Sequence, residues 1–132
     1  MLAEAAAYAL LSGAAPVTSV VGARIFPVEV PQNQVTPAIA YELVSGVPTG
    51  ALDASAPTHL TRSRIRVNLI GKDFDPLKAL RTSVVAALRH QRGTFGGTEV
   101  HAVFLDYEGP VTYDQALGLF VRPIDFIFLH QQ

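Results

Sequence analysis

The sequence predicts an α+β fold: a largely antiparallel sheet of about four strands, with an N-terminal helix and one central helix packed on one face. Two observations carry that reading. Between Thr61 and Gly93 a strand feeds a helix. Arg64, Arg66 and Asn68 alternate with Ile65, Val67 and Leu69, and after Gly71 the residues Leu77, Leu80, Val84 and Leu88 recur at spacings of three and four. A period of two marks a strand buried on one face, and a period near 3.6 marks a helix with one apolar stripe. Three further strand-like runs, from Pro37, Val100 and Leu119, are each bounded by glycine or proline.

The elements follow in order. Leu2 to Ser12 reads as a helix with Leu2, Ala6, Ala9 and Leu10 on one face, Tyr8 and Leu11 flanking it, and Gly13 ending it. Val17 to Val21 is one further short turn, closed by Gly22. Arg24-Ile25-Phe26 is a brief extended piece stopped by Pro27, and Val28 to Thr36 is polar and irregular. From Pro37 a strand alternates Ile39, Tyr41 and Leu43 with Ala40, Glu42 and Val44. Ser45 to Thr58 then reads as a loop of about 14 residues, a length that is usually functional or mobile inside a compact domain.

In the central helix, Asp73 or Asp75 is placed to cap the N-terminus and Pro76 sits where a missing N–H costs nothing. Arg89, His90 and Arg92 gather at the negative end of the helix dipole, with Gly93 as the stop. Thr94-Phe95-Gly96-Gly97 is a tight turn leading into a strand from Val100 to Tyr107. Asp106 to Gln115 reads as a second loop, acidic and carrying Tyr107 and Tyr113. The last strand, Leu119 to Leu129, is apolar on both faces. Pro123 within it cannot donate to a ladder, which predicts an edge position or a bulge there, and a bare apolar edge calls for a covering partner.

The chain has 132 residues, of which 49% are hydrophobic and only 16% charged, with a mean hydropathy of +0.30. That is one domain, 1–132, with surplus apolar area for a solitary soluble molecule: either the sheet is covered on both faces or some of that area is buried against other subunits. Ten basic against eleven acidic residues leave a charge of −1, without the basic excess that phosphate neutralisation requires, so sequence-specific nucleic-acid binding is not expected. The absence of cysteine excludes disulfides and thiolate chemistry. No apolar run approaches the roughly 18 to 20 residues of a membrane span, and the alanine-rich N-terminus, with Glu4 and no basic start, reads as an ordinary helix rather than a signal peptide. No membrane partner is expected.

Few residues suggest chemistry. His59, His90, His101 and His130 sit on different elements at no metal-ligand spacing. Asp106, Glu108 and Asp114 lack the regular oxygen-ligand spacing of a calcium loop and read first as a solvated turn, then as a subunit contact. Gly93 to Gly97 lies between a helix and a strand, the reverse of a phosphate-cradling loop. Arg62, Arg64 and Arg66 form the one basic cluster. A solvated strand face is favoured for it over phosphate contact, because the flanking strands add no basic residues, and contact with acidic groups of a neighbouring subunit is a third option. No catalytic constellation emerges, and no cofactor or metal is expected.

An ordered set of segments carries a resemblance. It comprises the helix ending in Leu10-Leu11-Ser12, then Val21-Gly22-Ala23-Arg24-Ile25-Phe26-Pro27 and Pro37-Ala38-Ile39-Ala40-Tyr41. Thr61-Arg62-Ser63-Arg64-Ile65-Arg66-Val67-Asn68, the helix ending near Ala87-Leu88, and Arg122-Pro123-Ile124-Asp125-Phe126 complete it. The set resembles the tail completion (tail terminator, head–tail joining) proteins of long-tailed phages and prophages over nearly the whole chain. It departs from them at Ile70, a position often aromatic in that family. The resemblance implies a non-enzymatic structural virion protein, assembled in the host bacterial cytoplasm. It would form a homo-oligomeric, hexameric ring at the head-proximal end of the tail tube, contacting the major tail tube protein and the head connector, with DNA passing through. Candidate contacts are Asp53 in the first loop, Tyr107, Glu108, Tyr113 and Asp114 in the second, and Arg64, Arg66, Arg122 and Asp125 on the strands. The alternative is a small non-enzymatic ligand-binding or regulatory α+β module whose apolar sheet face lines a pocket.

Overall fold

The computed structural model describes residues 2–32, 35–48 and 60–131. Among the described residues three helices, α1 (Ala3–Ser12), α2 (Ala15–Val21) and α3 (Phe74–Leu88), accompany seven strands. The strands are β1 (Ile25–Pro27), β2 (Ala38–Pro48), β3 (Leu60–Gly71), β4 (Gly93–Phe95), β5 (Thr98–Glu108), β6 (Thr112–Asp114) and β7 (Leu119–Gln131). They form one sheet in the order β1-β2-β3-β7-β5-β4, with β6 also on β7. The sheet is mixed: β1 pairs with β2 in parallel, and every other pairing is antiparallel. The α+β class and largely antiparallel pairing stand; the counts of about four strands and two helices are too low. The missed strands have three residues each, too few to display a period.

The core lies between the helices and one face of the sheet. Ile65, Val67 and Leu69 of β3 and Ile124, Phe126 and Phe128 of β7 meet Leu77, Leu80, Val84 and Leu88 of α3, all buried. Each such side chain taken out of water contributes about 1.5–3 kcal/mol, so this layer dominates the stability. The stripe predicted for α3 is the observed one. In α1 the buried face is Ala3, Ala6, Ala7 and Leu11, whereas Leu2 and Tyr8 are exposed, which rotates the predicted face. In a helix whose face is mostly alanine, periodicity alone barely distinguishes neighbouring orientations; the side that packs is the one where small Cβ atoms let the backbone approach.

Asp73 occupies the N-cap of α3 without a side-chain cap bond, and Asp75 lies in the first turn. The helix stops earlier than Gly93. Arg89 is the C-cap, His90 turns the chain with φ 63°, and its N–H donates to Val103 O at 3.0 Å. Gly93 instead opens β4. The β4–β5 hairpin turns on Gly96 and Gly97, both with positive φ, as a two-residue primed turn requires.

Three expectations about loops and edges are corrected. Ser45–Pro48 is strand, continuing β2 past a bulge at Leu43/Ser45; the rest of the predicted first loop, including Asp53, lies outside the described residues. The predicted second loop is also mostly ladder, because Asp106–Glu108 ends β5 and Thr112–Asp114 forms β6. The last strand is not an edge. β7 runs through the middle of the sheet, with β3 on one side and β5 and β6 on the other. Pro123 is tolerated there because its missing N–H falls in an interruption: β5 pairing ends at Ile124 and β6 pairing begins at Val121. Its carbonyl accepts from Gly109 N–H at 2.9 Å, so its nitrogen faces the same gap.

Candidate functional site

The helices leave the other face of the sheet open, and the strand alternation that buries Ile65 and Val67 points Arg64 and Arg66 outward. Opposite them on β7 lies Asp125, in register with Arg66. The Asp125 carboxylate receives Arg66 Nε at 2.8 Å and Nη2 at 3.2 Å, a two-pronged contact, and Arg64 Nη1 at 3.1 Å. Arg64 Nη2 also reaches Asp106 at 2.5 Å. Its hydrogen bond to Asp106, and then that to Asp125, holds the Arg64 guanidinium above its ordinary pKa; the hydrogen bond to Asp125 does the same for Arg66. Burial is uneven. The Asp125 side chain is 3% exposed, against 29% for Arg64 and 37% for Arg66, so the arginines lie as a lid over a carboxylate.

This corrects the picture of a solvated row of cations. Arg64 and Arg66 meet acids of their own chain, while Arg62 stays exposed. Asp106 is the partner that sequence reasoning missed. The register of β5 shifts between Leu105 and Tyr107, which makes Asp106 the extra residue of a bulge, and simple alternation cannot show that. Tyr107, opposite Asp125, is half exposed beside this network.

Glu108 and Arg122 come together elsewhere, on the side facing α3. Glu108 Oε2 accepts from Arg81 Nε at 3.0 Å and from Arg122 Nη1 at 3.4 Å, and Oε1 accepts from Arg81 Nη2. The hydrogen bonds from Arg81 hold the Glu108 carboxyl below the usual glutamate value. With Lys78 and Thr82 these residues line a shallow groove of about 310 Å³. Arg122 and Asp125 thus belong to separate clusters. Asp114 Oδ1 accepts the backbone N–H groups of Ala116 and Leu117 at 3.0 and 3.3 Å, and Tyr113 packs on Phe120 with ring centroids 4.8 Å apart. The three acidic residues of the predicted loop therefore do three different jobs.

A serine–histidine pair escaped sequence reasoning. Ser63 Oγ lies 2.7 Å from His130 Nε2, and His130 Nδ1 lies 2.8 Å from the Gln131 carbonyl. That carbonyl can only accept, which places the ring proton on Nδ1 and makes Nε2 the acceptor of the serine hydroxyl. Both residues are 3% exposed, so the bond ties β3 to β7 under the surface and offers no open nucleophile. Beside it a groove of about 320 Å³ runs between Leu2, Leu43, Pro48 and Thr61. Thr61 Oγ1 there is the one buried side-chain polar atom without a hydrogen-bond partner among the described residues. No group of three or more potential metal ligands occurs among the described residues, and among them no single helix is long and apolar enough to cross a membrane.

The comparisons with known proteins come from sequence and from shape. The family model described as "Tail completion protein gp17" matches residues 5–129. A chain in the solved structure of a native gene transfer agent virion particle superimposes with a TM-score of 0.70 at 16% identity, covering 98% of this chain and 95% of that one. A second solved chain superimposes with a TM-score of 0.63 at 14% identity, covering 98% and 92%. No curated protein matches the sequence.

Proposed function

The chain belongs to the tail completion protein gp17 family, a family of structural phage tail proteins, and from that premise we propose that it closes the tail as a ring. In this reading six copies assemble at the head-proximal end of the tail tube, stop its growth, and present the surface that joins the head connector, with DNA passing through the centre. The match over 5–129 is the observation that carries it. The chain acts by contact rather than catalysis, as one domain of 1–132.

Two features of the geometry support it. Arg64, Arg66, Tyr107 and Asp125 form, with Asp106, a partly exposed plate on the helix-free side of the sheet in which two arginines are matched by two carboxylates. Such a plate suits protein contact, because its side chains need little further ordering on binding. Glu108, Arg122, Tyr113 and Asp114 mark a second contact region toward α3 and β6; Asp53, outside the described residues, is kept as a further proposed contact on the resemblance alone. A ligand-binding module calls for an enclosed apolar pocket, and no described feature favours that reading.

The test is genetic. Removing the coding sequence from its phage or prophage should leave filled heads and free tails as separate particles, with tails of irregular length in electron micrographs. Restoring the protein in trans should restore joining. Joined particles with tails of normal length in its absence would refute the proposal.

A further inference from the structure

The sheet ends in the short strands β1 and β4, which leave parts of β2 and β5 with no strand on their outer sides among the described residues. β1 covers β2 only from Ile39 to Tyr41, so Glu42–Pro48 has no strand beside it among the described residues. There Leu43 is 43% exposed, Val44 44% and Val47 58%. At the opposite end β4 covers β5 only as far as Val100, and the His90 N–H takes the Val103 carbonyl. Phe104–Glu108 then has no strand on its outer side among the described residues, with Phe104 46% and Tyr107 49% exposed. Unpaired backbone groups flanked by apolar side chains are a template for another strand; the one bulge and the acidic residues in each stretch restrict that pairing to a matching edge. Neither open stretch holds a lysine, and proline enters only at Pro48.

We propose that these edges are the two halves of one head-to-tail contact, in which β2 of one copy pairs with β5 of the next and continues the sheet. The inference rests on the ring reading above and names its seam. The occupant is a second copy because both halves lie on the same chain, are of similar length, and sit toward opposite ends of the strand order. An isologous β2–β2 contact would leave Phe104 and Tyr107 in water, and a foreign strand on either edge would leave the other bare. Joining unlike surfaces is also the arrangement that propagates and closes into a ring. Val44 and Val47 would meet Phe104 and Tyr107, the aromatic and β-branched combination that stabilises strand pairs.

The chain has no cysteine, so engineered thiols report the seam without background. Val47→Cys, Phe104→Cys and the double variant are assembled on tails or concentrated until light scattering shows the parental assembly, then treated with a short bis-maleimide. The proposal expects a ladder of covalent multimers ending at ring size for the double variant, dimers for an equal mixture of the single variants, and no product from either alone. Dimers from Val47→Cys alone would overturn it in favour of a symmetric contact. Assembly without cross-linking, together with intact assembly of Leu43→Lys/Val47→Lys, would overturn the seam and leave the ring reading standing. A parent chain that never assembles, even on tails, would remove both. Should either cysteine disturb folding, Val44→Cys with Tyr107→Cys tests the same edges.

Discussion

The arginine lid over Asp125 makes a prediction about order of cost. The carboxylate is the buried partner and the two guanidiniums are each about one-third exposed. Removing Asp125 frees cations that already reach water, and Arg64 keeps Asp106. Asp125→Asn should therefore cost only about 1 kcal/mol, since its amide oxygen still accepts one hydrogen bond. Arg66→Ala removes the two-pronged contact and should cost about 2 kcal/mol, the range for hydrogen bonds to a charged group. Arg64→Ala/Arg66→Ala strands a buried charge with no cation and should cost about 3–5 kcal/mol. The double variant should exceed the sum of the single ones, because each arginine partly covers for the other. Urea unfolding at neutral pH reads these differences as shifts of the midpoint at constant slope. If Asp125→Asn proved costlier than the double arginine variant, the assignment of the carboxylate as the dependent partner would be wrong.

Two further outcomes follow from the geometry. A Cβ built on Gly96 lies 2.5 Å from the Ala5 carbonyl oxygen of α1, and φ there is +58°; Gly96→Ala should cost about 2–3 kcal/mol from the left-handed strain and the displaced helix together, read as a lowered thermal midpoint. Glu108 has a folded pKa held below its ordinary 4.5, so its contribution is complete above that value and is lost as pH falls through the folded one. Glu108→Gln should therefore be destabilised by about 1 kcal/mol at neutral pH, after allowance for solvent screening. Its stability should converge on the parent's in acid, and an unchanged gap at low pH would contradict the assignment.

What the sequence made legible was whatever repeats. The alternation of β3 and the stripe of α3 are periodic over many residues, and both the buried sets and their mutual packing follow from that. What stayed hidden depends on single residues or on distant pairing. The bulge that turns Asp106 toward Arg64, the meeting of Ser63 with His130 across β3 and β7, and the use of Arg81 by Glu108 all require the register of strands far apart in the chain. Pro123 misled for a related reason. A proline rules out a donor on one side at one position, and it forces a strand to the sheet's edge only if the neighbours are continuous there. Here that side of β7 is shared by β5 and the short β6, with a gap between them at Pro123.

That correction changes where self-association must be sought. Pro123 allowed either an edge position or a bulge for the last strand, and β7 is satisfied on both sides by its own chain, so it supplies no reason to bind a copy. The surplus apolar surface has not vanished with it. Among the described strands it has moved outward, to Leu43, Val44 and Val47 on one margin and Phe104 and Tyr107 on the other. Placing the most apolar strand centrally leaves the less apolar strands, with their mixture of exposed valines, tyrosine and charge, to form the margins. In the proposed ring such margins pair with a matching edge at high local concentration, while the charges of Glu42, Asp106 and Glu108 disfavour indiscriminate stacking.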